Sequence, residues 1–281
     1  ISFEPAKRMF RFSFKILLSN IITIINNNIL NFLLGHYFTA RDTGNYYQAY
    51  QWNSKCFSLV QSMVNQVAQP VLIDLQNEGE RQLNAFRKMM RFAAFLSFPL
   101  LLGFGLVAKE FIVLTVGPKW IVSAGYVQIL CFAGATMPLI TLLSNMVISK
   151  GKSNLYLYCT FGLGIVQIIS MLLLWPYGIK NMVIAYTLIN ILWVFVWLFF
   201  VNRLTGYGLW AFIKYTTPFA LAAFAVMAAT HFATASIHTL WLLLICRIAM
   251  AMLLYYAVMR MARVQILAEC QQFIIKKFHS R

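Results

Sequence analysis

The sequence predicts an all-α, polytopic helical membrane protein with about eight transmembrane helices, each near the length a bilayer requires. Three observations carry that prediction. Hydrophobic residues make up 61% of the 281 and charged residues only 11%, whereas a soluble domain carries about a quarter charged. Apolar runs long enough to span a bilayer recur from end to end. The segments between them concentrate lysine and arginine on alternate sides, as short cytoplasmic loops do.

The spans fall at roughly 12–35, 46–72, 92–116, 121–148, 155–175, 179–201, 212–233 and 239–259. With the N-terminus inside, seventeen of the 23 basic residues lie in inside segments and only Arg41, Lys109, Lys119 and Lys180 lie outside. Lys55 and Arg247 remain within spans. This bias places both ends of the chain in the cytoplasm and demands an even number of spans. The net charge of +16 therefore reads as a topology signal, not as a nucleic-acid footprint. The chain starts at Ile1 with no cleavable signal before the first span, and is expected to be the C-terminal part of a longer protein.

The first span carries a polar stripe of Ser13, Asn20, Thr23, Asn27 and Asn31, flanked by Asn26 and Asn28. Asparagines at mid-membrane are costly unless they meet water, a ligand or one another. The second span is the most unusual. Gln48, Gln51, Lys55, Ser58, Ser62, Asn65, Gln66 and Gln69 fall within an arc of about 100° on a helix, and Asn53 intrudes on the apolar side. Lipid offers such groups no hydrogen-bond partners. The stripe is expected to wall a water-filled cavity; amides bonded between helices are the alternative. A short turn joins the two spans, so they are expected to be adjacent and antiparallel, with both stripes on one cavity.

Residues 74–91 suit either an amphipathic helix in the headgroup region or a solvated loop helix. The third span contains Pro99, Gly103 and Gly105, and the fourth Gly134 and Pro138, a weak sign of kinked helices. Spans five and six are apolar nearly all round, and span seven is alanine-rich, as close packing permits. In span eight Arg247 would snorkel outward, pair with another helix or reach a cavity. The tail beyond Met261, with Lys276 and Lys277, suits a basic interfacial helix on anionic lipid.

The spacing of cysteines and histidines suggests no metal site, and no cofactor is expected. Cys56, Cys131, Cys159, Cys246 and Cys270 read as small hydrophobes. No acidic residue is expected deep in a span, which leaves any ion coupling to groups elsewhere and provides no carboxylate pair for glycoside chemistry. An enzyme is not expected.

Three motifs occur in order. They are Thr43-Gly44-Asn45-Tyr46-Tyr47-Gln48-Ala49 after Leu33-Leu34-Gly35, Gly117-Pro118-Lys119-Trp120 leading into Gln128-Ile129-Leu130, and Ile148-Ser149-Lys150-Gly151-Lys152-Ser153. Together they resemble the second half of Wzx-type lipid-linked oligosaccharide flippases of the multidrug/oligosaccharidyl-lipid/polysaccharide exporter superfamily. The resemblance implies a six-helix C-terminal lobe at 1–203 lining a cavity, and two added helices with a basic tail at 204–281. It implies transport of an undecaprenyl-pyrophosphate-linked oligosaccharide across the bacterial inner membrane, among membrane lipids and alongside other polysaccharide-assembly membrane proteins. Amides and hydroxyls would replace the sugar's lost hydration, and a cation would attract the pyrophosphate at reduced dielectric. On that reading Lys55 is the first candidate, then Gln51, Asn27 and Asn31, with Gln48, Ser58, Ser62 and Asn65 beside them and Lys15 at the inner mouth. A small-molecule exporter of the same superfamily and a membrane enzyme of polysaccharide assembly are the alternatives.

Overall fold

A computed structural model describes residues 4–263 and 266–267, with side chains at Phe10, 13–263 and 266–267. Eight α-helices follow one another: α1 (Glu4–Tyr37), α2 (Ala40–Asp74), α3 (Gly79–Thr115), α4 (Ile121–Ser149), α5 (Ser153–Leu174), α6 (Ile179–Thr205), α7 (Leu209–Ala233) and α8 (Leu240–Met261). Single 3-10 turns, Pro118–Trp120 and Trp175–Tyr177, sit ahead of α4 and α6. Glycines hold the tight corners where φ is positive: Gly117 at 108° and Gly178 at 89° open these junctions, a conformation that costs other residues a Cβ clash. The basic tail with Lys276 and Lys277, the N-terminal Lys7, Arg8 and Arg11, and Cys270 lie outside the residues or side chains described.

Seven helical segments are both long and apolar enough to cross a membrane, and α2 is not among them. At 35 residues it has the length; its run of amides, hydroxyls and Lys55 lowers its hydropathy. It lies in the bundle beside the seven, packed along α4 and α3.

Residues 79–91 are neither a separate interfacial helix nor a solvated one. They form the start of α3, a continuous helix of 37 residues. Phe86 and Met90 are fully buried there, with Phe86 edge-on to Tyr207 at 5.0 Å between ring centroids. The apolar stripe that suggested a headgroup partner is covered by protein.

Two cores hold the bundle. One, called outer for the side on which the charge pattern expects the α1–α2 turn, gathers Leu30 and Leu34 of α1, Tyr46 and Ala49 of α2, Val127 and Leu130 of α4, Met171 of α5 and Tyr186 of α6. The inner one joins α2 through α8, with Val64, Met90, Leu142, Val194, Ala223 and Tyr255 among its buried residues, and takes none from the described side chains of α1. The inner half of α1 instead leans on α5. Asn26 donates to the Thr160 carbonyl at 2.9 Å, and Gly164 makes room, since a Cβ there would stand 2.3 Å from the Asn26 side-chain oxygen. The first two helices are therefore neighbours at their outer ends and part company inward.

Proline placement explains one tie between α8 and α3. Pro99 has no N–H to give the Phe95 carbonyl four residues back. The Tyr255 hydroxyl of α8 donates to that carbonyl at 3.0 Å, so the bond missing within one helix is made by another.

Candidate functional site

The unusual helix α2 begins at a well-made cap. The Thr39 hydroxyl accepts from the Asp42 N–H at 3.2 Å and donates to the Asp42 carboxylate at 2.7 Å, and Asp42 suits the positive end of the helix dipole. From there α2 is fastened to α4 by polar contacts along its length. Ser123 donates to Asn45 at 3.0 Å, Gln61 to Thr141 at 2.8 Å, and Asn145 to Asn65 at 3.0 Å. Between them the intruding Asn53 is buried against Gly134, where a Cβ would lie 2.4 Å from its side-chain oxygen. Small residues and amides at a helix interface allow such close approach in a membrane.

These contacts use one side of α2 and leave the other uncovered. Lys55, Ser58, Ser62, Asn65, Gln66 and Gln69 are exposed, and Gln48 and Gln51 are half-buried. The Ser58 and Ser62 hydroxyls are occupied by carbonyls of their own helix, Lys55 at 2.9 Å and Leu59 at 2.9 Å. The Lys55 ammonium sits 4.6 Å from the centre of the Trp52 ring, a cation–π contact that sets it on the helix surface. Of the candidates on α2, only Asn65 bonds across to another helix.

On α1, Asn27 and Asn31 are half-buried, and both polar atoms of the Asn31 amide are covered without a partner. Lys15 is half-buried too, and its ammonium donates to Asn154 at the start of α5. That anchors the inner end of α1 to α5, a role the sequence did not suggest. Among the described residues no side-chain hydrogen bond joins α1 to α2, so the two stripes form no ladder of amides between them.

An apolar cleft of about 490 Å³ touches α2 at the half-buried Cys56. It runs between α3 and α8, and its wall includes Cys56, the residue after Lys55, as well as Pro99, Gly103, Met227 and Tyr255.

The expectation that no acidic residue lies deep in a span is corrected at Glu110. This residue of α3 is 3% exposed and its carboxylate is 2.9 Å from the Arg247 guanidinium. Arg247 does not snorkel outward. It also donates to Thr234 at 3.2 Å and to the Leu106 carbonyl at 3.2 Å, and it meets the His231 ring at 3.3 Å. The second Glu110 oxygen is buried and unpartnered. A depth count was the available signal: Arg247 lies seven residues into α8 and Glu110 five residues from the end of α3, about 10 Å and 8 Å from those helix ends.

Fold and site together define a multi-pass helical membrane protein with a polar, cationic face on α2. A family model described as "Polysaccharide biosynthesis protein" matches residues 1–125. The teichuronic acid biosynthesis protein TuaB of Bacillus subtilis is 27% identical over 207 residues, 74% of this chain and 41% of that protein. A membrane protein encoded in the cps region of Klebsiella pneumoniae is 28% identical over 149 residues, 53% of this chain and 31% of that one. The lipopolysaccharide biosynthesis protein WzxC of Escherichia coli is 23% identical over 145 residues, 52% and 30% respectively. Among solved structures, the lipid II flippase MurJ in an inward closed conformation superposes with a TM-score of 0.75 at 14% identity, over 95% of this chain and 57% of MurJ; at that identity the likeness speaks for the fold. The chain spans less than half the length of the curated relatives it matches. In motifs, relatives and fold alike, it resembles the Wzx-type members of the multidrug/oligosaccharidyl-lipid/polysaccharide exporter superfamily.

Proposed function

We propose that this chain forms one lobe of a transporter, not an enzyme, that carries an undecaprenyl-pyrophosphate-linked oligosaccharide across the bacterial inner membrane for surface polysaccharide synthesis. Both of its ends lie in the cytoplasm. Residues 1–203 form the cavity-lining lobe, and 204–281 add a terminal helix pair. The exposed face of α2 carries the reading. It presents one ammonium among amides and hydroxyls on a helix that spans the bundle, and such a face is stable in a membrane only against water or a polar ligand.

The chemistry of an anionic glycolipid matches this surface in three parts. The pyrophosphate faces Lys55, at reduced dielectric. The sugar hydroxyls exchange water for Gln48, Gln51, Ser58, Ser62 and Asn65, with Asn27 and Asn31 across the inward-widening gap between α1 and α2. The prenyl chain lies in the apolar cleft that starts at Cys56. The relatives named for teichuronic acid and lipopolysaccharide synthesis, and the lipid II flippase fold, support a lipid-linked substrate of this kind.

The test is complementation of a strain lacking the transporter. Lys55→Ala is expected to insert and fold yet to abolish surface polymer, and Lys55→Arg to retain part of it. Normal surface polymer with Lys55→Ala removes Lys55 from the mechanism. Uptake of a cationic dye by reconstituted vesicles, equal in wild type and Lys55→Ala, would favour a small-molecule exporter instead.

A further inference from the structure

A second recess lies on a different side of the bundle, between the outer halves of α4 and α6. Its volume is about 730 Å³, within the roughly 300–1,000 Å³ of pockets that bury a small ligand. The groove between the two helices is walled by Gly125, Tyr126, Gln128, Phe132, Ile184 and Thr187, with Lys180 at its rim. On α4 these positions lie roughly opposite Ser123, Gly134, Thr141 and Asn145, the residues turned to α2, given about 100° per residue. The groove is thus separate from the α2 face.

Its make-up is graded. The lining is apolar over most of its length, and Phe132 and Leu188 are exposed there. The charge is confined to one end, where Lys180 is the second residue of α6 and is exposed. Among the described residues Lys180 forms no ion pair, so its charge has no protein acid opposite it. Trp175 and Tyr177, both exposed, precede it in the turn, and aromatic residues of this kind mark the level of lipid headgroups. Polar groups line the groove as well: the exposed Gln128 amide, and the Thr187 hydroxyl, which is buried and has no partner. Thr187 lies seven residues, about 10 Å, further down the helix, the zone of glycerol and ester groups when Lys180 is at the phosphate.

We propose that the α4–α6 groove is a binding site for one anionic phospholipid of the outer leaflet, its phosphate on Lys180 and an acyl chain along Phe132 and Ile184. Charge complementarity selects the occupant. A free phosphate would leave the apolar length bare, and a zwitterionic lipid would bring a second cation towards Lys180. The proposal is independent of what the α2 face transports.

Native mass spectrometry of the purified full-length protein, titrated in detergent with phosphatidylglycerol or phosphatidylcholine, tests it. The wild type is expected to retain one phosphatidylglycerol in preference to phosphatidylcholine. Lys180→Gln should weaken phosphatidylglycerol about fivefold, the worth of one lysine beside an anionic lipid, and leave phosphatidylcholine unchanged. Lys180→Arg should keep the preference. Gly125 has no atom within 4 Å of an added Cβ, so Gly125→Trp should fill the groove and remove the tight site for both lipids while the helical circular dichroism stays the same. The proposal is overturned if both Lys180→Gln and Gly125→Trp bind phosphatidylglycerol within twofold of wild type. It is equally overturned if the wild type shows no preference between the two lipids.

Discussion

Removing Arg247 is expected to be among the most destabilising single changes in this protein. Substitution to leucine keeps most of the bulk and deletes a charge that is bonded to Glu110, Thr234 and the Leu106 carbonyl at 2.9, 3.2 and 3.2 Å. It leaves the Glu110 carboxylate buried, with one oxygen newly unpaired and the other already without a partner. Leaving one member of a buried pair uncompensated costs about 3–5 kcal/mol. Glu110→Gln should cost less, at the lower end of the roughly 1.5–3 kcal/mol of a hydrogen bond to a charged group, because the amide oxygen still accepts and three other partners hold the arginine. The double variant Arg247→Leu with Glu110→Leu should regain most of the loss, because neither charge is then buried. The assay is unfolding in mixed micelles followed by helical circular dichroism, read as a double-mutant cycle. If the double variant loses the sum of the two leucine singles, or if Arg247→Leu costs under about 0.5 kcal/mol, as an ordinary surface change does, the ion pair is not what ties α8 to α3.

Other outcomes follow from the same geometry. Tyr255→Phe should orphan the Phe95 carbonyl beside Pro99 and destabilise by about 1–3 kcal/mol, with the loss smaller in a Pro99→Ala background, where the helix supplies its own donor. Gly164→Ala should push Asn26 off the Thr160 carbonyl, costing about 1 kcal/mol and loosening the inner half of α1, visible as faster hydrogen exchange there. In a background without native cysteines, Ser58→Cys and Ser62→Cys should react with a membrane-impermeant maleimide added from the open side, and a cysteine at Val60 or Val64 should not. Equal protection of all four positions would mean that the exposed face of α2 is not wet.

The membrane class and the approximate place of each helix were legible in the sequence because they depend on local quantities. Hydropathy over twenty residues and the side on which lysines accumulate need no knowledge of what packs where. The polar arc of α2 was legible for the same reason, since helical periodicity alone puts Lys55, Ser58 and Ser62 on one face. What faces each stripe was not. Residues 79–91 have the pattern of a headgroup helix, yet Tyr207 and the inner core cover it. The asparagines of α1 look alike in sequence, yet Asn26 is seated against Gly164 while Asn31 is left unpartnered. Glu110 and Arg247 are separated by 137 positions and are joined only because α3 and α8 run antiparallel in contact, at matched depth. Periodicity determines the direction in which a side chain leaves its own helix; the packing of the eight helices decides whether water, lipid, a counter-charge or a glycine notch stands there to meet it.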